Sequence, residues 1–302
     1  MISVNVSEGA NELPDGTGGS VDTAMGAAIG PYRKSRLERH NATALRWFGS
    51  AVVSVLSIFF VAGASVAGNG AAEVAPTWVE ARVFLPGSAV PVKPVSVPAR
   101  DRPLPTVLYL HGCSGFDYSH DGTMGGWAQT LTAAGYAVAM PTSFAREVRP
   151  QNCDTATHTG GLAMEAMDMR LEELEYALAQ LRTASWVDQR NLFLMGHSEG
   201  GITVARWGGG EFNGHIISGW TCTAPPRPEF DGVQAPLTTP LLAISFESDP
   251  WFPGPYAGSC ATKFGTRKDT RQVILPGSGH GTASYPQART AVLQFLRDHA
   301  VR

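Results

Sequence analysis

Charge is scarce in this chain. Asp, Glu, Lys and Arg make up 16% of its 302 residues and nearly cancel, leaving a net charge of −3. No basic run occurs after Arg46, so the footprint of a nucleic-acid or anionic-membrane partner is missing and no nucleic acid is expected. Cysteine is sparse too. Only Cys113, Cys153, Cys222 and Cys260 occur, with no Cys-x-x-Cys and no closely spaced histidine pair, so zinc-ligand spacing is absent and no metal is expected. No internal repeat is visible, which argues against a solenoid. The longest uncharged stretch lies in the first quarter of the chain.

That quarter differs from the rest. Residues 1–30 are polar, Gly-rich and without periodicity, and Arg33, Lys34, Arg36, Arg39 and Arg46 follow. Residues 1–46 are therefore expected to be a disordered polar and basic N-region. No charge occurs from Trp47 to Ala72, and Ser65-Val66-Ala67 has the small-residue pattern of a signal-peptidase site. Residues 47–75 read as the hydrophobic core of a signal peptide or as an N-terminal membrane anchor. Either reading places the domain at 76–302 outside the cytoplasm, periplasmic, secreted or tethered. All four cysteines lie in that domain, and an even number in an exported chain points to disulfides.

From residue 76 onward short apolar runs alternate with helical patterns. Strands are predicted at 79–85, 106–110 (TVLYL), 136–140, 191–195 (NLFLM), 216–219, 241–246 (LLAISF) and 272–275. Helices are predicted at 127–134, 162–183, from 202, and at 285–298. In the long one, Met164, Met167, Leu171, Leu174, Leu178 and Leu181 form a packing face, with Glu172, Glu173 and Glu175 between them. The alternation implies an α/β fold, a mostly parallel sheet with helices on both faces.

The chemistry centres on Gly196-His197-Ser198-Glu199-Gly200, which follows the NLFLM strand and precedes a helix. G-x-S-x-G is a weak pattern alone, but the strand–turn–helix context is what a nucleophile elbow requires. A serine needs a base, and the base needs an orienting acid. Asp249 follows LLAISF, and His280 follows QVIL, both in the chain order that an α/β-hydrolase fold demands. Glu247 is the rival acid but lies too close to the strand. Backbone donors for an oxyanion are expected from Glu199, just after the serine, and from Cys113 in the loop His111-Gly112-Cys113-Ser114-Gly115.

Four stretches together resemble the dienelactone hydrolase family, and within it the exported, serine-containing relatives. They are LHGCSG at 110–115, PTSFAREVRPQNC at 141–153, GHSEGG at 196–201 and FESDPWFPGPYAGSC at 246–260. The resemblance spans about residues 78–300. It implies an α/β-hydrolase fold and hydrolysis of small carboxylic esters or lactones without metal or cofactor, with Ser198, Asp249 and His280 as the triad. The founding members use cysteine as nucleophile where this chain has Ser198. Acyl transfer to water therefore carries over, whereas the dienelactone substrate does not follow. Those members hold a substrate carboxylate with arginines, a part open to Arg146 or Arg149. Tyr118, Trp251 and Phe252 are expected to line the acyl or alcohol pocket. In the usual strand order of this fold, TVLYL neighbours YAVAM and HIISG neighbours LLAISF, so the pairings Cys113–Cys153 and Cys222–Cys260 are expected.

A prolyl-oligopeptidase-like peptidase or an acyltransferase would use the same triad, and a binding protein could retain the fold without catalysis. One feature bears on substrate size. Residues 220–239, where this fold commonly inserts a helical lid, hold Pro225, Pro226, Pro228 and Pro236 and no helical period, so no large lid domain is expected. An added acyl methylene stabilises binding by about 0.8 kcal/mol only if a pocket encloses it. In a p-nitrophenyl ester series, kcat/KM should therefore fall beyond roughly four to six acyl carbons; a maximum at about twelve or more would contradict the lidless reading.

Overall fold

A computed structural model describes residues 67–116 and 125–302. The predicted N-region, the signal core or anchor up to residue 66, and Tyr118 lie outside the described residues. A helix, α1 (Ala67–Val79), begins ahead of the expected domain start at residue 76 and buries Val74, Thr77 and Trp78. Its Gly-rich start and internal Pro76 disguise it in the sequence.

The strands are β1 (Arg82–Phe84), β2 (Leu104–Leu110), β3 (Ala137–Met140), β4 (Cys153–Asp154), β5 (Thr159–Gly160), β6 (Val187–His197), β7 (His215–Ser218), β8 (Leu241–Ser248) and β9 (Thr270–Ser278). The remaining helices are α2 (Gly125–Ala133), α3 (Met164–Thr183), α4 (Glu199–Arg206) and α5 (Pro286–His299). Seven strands form one sheet in the order β1-β3-β2-β6-β7-β8-β9, antiparallel only at β1. Strands β4 and β5 form a separate two-stranded hairpin too short to leave a sequence signal.

The continuous apolar runs arise because the sheet is covered on both faces. Leu108, Leu110, Leu192 and Leu194 pack in one core with Trp78, Leu174, Leu178 and Ile202, from α1, α3 and α4. Val107, Tyr109, Phe193 and Met195 pack in the other with Trp127, Leu131, Val292 and Phe295, from α2 and α5. Helix α3 corrects one detail. Leu171 is only partly buried, whereas Glu173, expected on the outer face, is fully buried beside Arg170.

Parallel strands bring their C-terminal ends to one edge, where ligands of open α/β sheets bind. The loops after β2 and β3 are joined there by Cys113–Cys153, with Cα atoms 6.1 Å apart, and those after β7 and β8 by Cys222–Cys260, at 4.8 Å. Both pairs follow from strand adjacency. The segment from 220 to 239 contains a single short 3-10 turn, Pro228–Phe230, and no lid helix.

Candidate active site

The turn between β6 and α4 places Ser198 at φ 56° and ψ −120°, in the left-handed region that a residue with a Cβ avoids. Its N–H donates to the Ser218 carbonyl and its carbonyl accepts from Ile202 N–H, both at 2.9 Å. The surrounding backbone leaves no space for side chains. A Cβ on Gly196 would fall 2.2 Å from the Gly200 oxygen, and one on Gly200 would fall 2.1 Å from the Leu110 oxygen. The loop after β2 also lies against the serine, since a Cβ on Gly112 would be 3.4 Å from that of Ser198.

Asp249 and His280 follow β8 and β9. The Asp249 Oδ2 accepts from His280 Nδ1 at 2.7 Å, while its Oδ1 accepts from Trp251 N–H at 3.0 Å. A carboxylate cannot donate, so His280 Nδ1 carries the proton and Nε2 is the acceptor. That Nε2 is buried and has no hydrogen-bond partner among the described residues. Glu247 remains inside β8, where its carboxylate accepts from Gly277 N–H at 2.9 Å. The His280 ring lies against Trp251, Phe252 and His197, with centroids 5.4, 5.8 and 4.7 Å away. Burial, reinforced by the charge His280 can carry, holds His197 well below the usual histidine range, so it stays neutral beside the Ser218 hydroxyl.

The loop after β2 is anchored by His111. Its Nε2 accepts from Ser143 N–H at 3.0 Å and faces Arg170 Nη1 at the same distance, so Nδ1 is protonated and donates to the Gly112 carbonyl at 2.6 Å. Burial and then the Arg170 charge push His111 well below the ordinary histidine value. Arg170 Nη2 also donates to the His111 carbonyl at 2.8 Å. Neither contact leaves a local signal in the sequence, because Arg170 lies 59 residues from His111.

Arg146 and Arg149, expected in the pocket, have other partners. Arg146 pairs with Glu173 and Glu172, each at 2.9 Å, and Arg149 pairs with Glu199 at 2.6 Å and donates to Ser143 Oγ at 2.6 Å. Their side chains are 4% and 1% exposed, so neither guanidinium is open to a substrate carboxylate. Arg170 completes the cluster, 3.4 Å from Glu173 and 3.6 Å from Glu199. Charges this deeply buried are held by pairing rather than by water. Desolvation pushes the Arg149 guanidinium down, and Glu199 opposes it.

Beside the Asp249–His280 pair lies an open cavity of about 560 Å³. Trp251, Phe252 and Tyr256 form one wall, His158 and Leu162 the other. Ser198 and His280 do not line it; Trp251 and Phe252, which touch the His280 ring, are shared between cavity and catalytic edge. Among the described residues, no group of three or more His, Cys, Asp or Glu is placed to hold a metal ion.

This sheet, with an elbow serine and an Asp–His pair at its C-terminal edge, has the architecture of the α/β-hydrolases. The model of the dienelactone hydrolase family matches residues 92–292, and the chain belongs to that family. No curated protein matches it. Among solved structures, esterase PE8 is 20% identical over 67% of this chain and 96% of its own, with a TM-score of 0.48. A putative dienelactone hydrolase from Klebsiella pneumoniae is 15% identical over 66% and 88%, also at 0.48.

The buried cluster makes a specific prediction. Glu199→Gln leaves Arg149 and Arg170 facing a neutral group, and stripping one partner from a buried pair costs about 3–5 kcal/mol. Urea unfolding should show a loss of that order, whereas Glu172→Gln, at an exposed carboxylate, should cost under about 1 kcal/mol. Equal, small losses would show that the cluster does not hold the turn.

Proposed function

We propose that this protein is a serine hydrolase of small carboxylic esters or lactones, with Ser198 as nucleophile, His280 as base and Asp249 as its orienting acid. The observation that carries the reading is the 2.7 Å contact between Asp249 and His280 Nδ1, which leaves a buried, unpartnered Nε2 as the proton acceptor at the edge where Ser198 sits strained above its turn. Family membership supports acyl-transfer chemistry. The two disulfides support an exported protein, periplasmic or secreted. Among the described residues, no helix is long and apolar enough to cross a membrane.

In the proposed cycle the Ser198 hydroxyl turns to His280 Nε2 and attacks the ester carbonyl as its proton passes to the imidazole. Asp249 holds the ring and stabilises the imidazolium. The oxyanion collects donors from the Glu199 amide, at the start of α4, and from the Cys113 amide, in the loop lying against Ser198. His280 then protonates the leaving alcohol, and water cleaves the acyl-enzyme along the same path. His197, held neutral by burial, adds no competing charge beside the base.

Ser198→Ala should lower kcat by about 10⁴-fold or more, and Asp249→Asn by about 10³- to 10⁴-fold. Glu247→Gln should change it by no more than about twofold. Steady-state kinetics on a short p-nitrophenyl ester, with circular dichroism to confirm folding, would decide. A larger loss in Glu247→Gln than in Asp249→Asn would overturn the acid assignment.

A further inference from the structure

The cavity beside the Asp249–His280 pair has a composition and a position that together point to one part of the substrate. Its lining is mostly apolar and rich in rings, with Asn152, Thr159 and Arg227 as polar members. Trp251, Phe252 and Tyr256 come from the loop after β8, and His158 comes from the turn between β4 and β5. His158 and Trp251 face each other with ring centroids 5.4 Å apart, and His158 holds a positive φ of 53°. Such a conformation costs energy unless its surroundings impose it. The hairpin that carries His158 is tied to the loop after β2 through Cys113–Cys153. The opposite wall is tied down as well, because Thr221 Oγ1 donates to the Tyr256 carbonyl at 2.6 Å beside the Cys222–Cys260 bridge. Both walls are thus fixed before any ligand arrives, which lowers the ordering cost of binding a flat, rigid group.

Position decides which side of the ester the cavity serves. Trp251 lies against the His280 ring at 5.4 Å and 31°, and Phe252 also touches it at 5.8 Å. In the proposed cycle His280 delivers its proton to the leaving oxygen, so the group attached to that oxygen must lie beside His280. The acyl carbon, by contrast, sits over Ser198 and the loop of Gly112, which do not line the cavity. Because Ser198 and His280 are themselves outside the lining, a ligand reaches the cavity only by extending past Trp251. A ring joined directly to the ester oxygen fits less well than one separated from it by one or two atoms.

We infer that the cavity is the alcohol subsite, and that it selects short-acyl esters of alcohols bearing an aromatic ring on a short spacer, recognised against the adjoining rings of Trp251 and His158. The inference rests on the serine-hydrolase reading above. Benzyl acetate and methyl phenylacetate test it. They are isomers that carry the ring on the alcohol and acyl side respectively, and their leaving alcohols are of similar acidity. The kcat/KM for benzyl acetate should exceed those for methyl phenylacetate and ethyl acetate by about tenfold or more, the scale of ring stacking in a preformed pocket. Trp251→Ala should shrink the benzyl-to-ethyl acetate ratio to within about threefold, and His158→Ala, at an exposed hairpin position, should shrink it in the same direction. Equal or better turnover of methyl phenylacetate, or a ratio unchanged in both variants, would overturn the subsite assignment while leaving the hydrolase reading intact. No turnover of any ester, with no serine labelled by a fluorophosphonate, would defeat both.

Discussion

Three backbones meet beneath Ser198 with no room for a side chain between them. The end of β6, the start of α4 and the end of β2 approach so closely that a methyl group at Gly196 or Gly200 would overlap backbone oxygens near 2 Å. The strained φ of the serine is held by that crowding and by hydrogen bonds to Ser218 and Ile202. Neighbouring elements close on this turn. The loop of Gly112 rests on it from one side, and β7 presses Ser218 against it from the other.

Behind the turn the fold buries charge instead of hydrocarbon. Arg146, Arg149 and Arg170 are matched by Glu173 and Glu199, with the exposed Glu172 at the margin. These pairs span the loop after β3, the face of α3 and the first turn of α4, while His111 joins the loop after β2 to the same cluster. An apolar core could join these elements with comparable strength. A hydrogen-bonded cluster fixes their relative placement more narrowly, because each donor has one direction in which it is satisfied. The two disulfides add the same constraint further out, at the walls of the cavity.

Much of the architecture was legible because its signals are local. TVLYL, NLFLM and LLAISF read as buried strands since both faces of the sheet are covered, and the order of Ser198, Asp249 and His280 along the chain placed each after the appropriate strand. Strand adjacency then led to both cysteine pairings. What escaped depends on contacts distant in sequence. Nothing near Glu173 marks it as buried; its partners Ser143 and Arg146 lie 30 and 27 residues away. In the sequence only the position of the Glu199 amide stands out, while its side chain holds Arg149, 50 residues earlier. Arg146 and Arg149, to which the resemblance leaves a substrate role open, are instead paired inside the protein. Helix α1 was hidden by its glycines and Pro76, and the β4–β5 hairpin by its brevity.

The proposed chemistry requires Ser198 to be an activated nucleophile. A fluorophosphonate reacts only with such a serine, so mass spectrometry of the labelled intact protein, followed by peptide mapping, addresses it directly. A single adduct is expected, located on Ser198 and absent from Ser198→Ala. An unlabelled folded protein, or an adduct on any other serine, would contradict it.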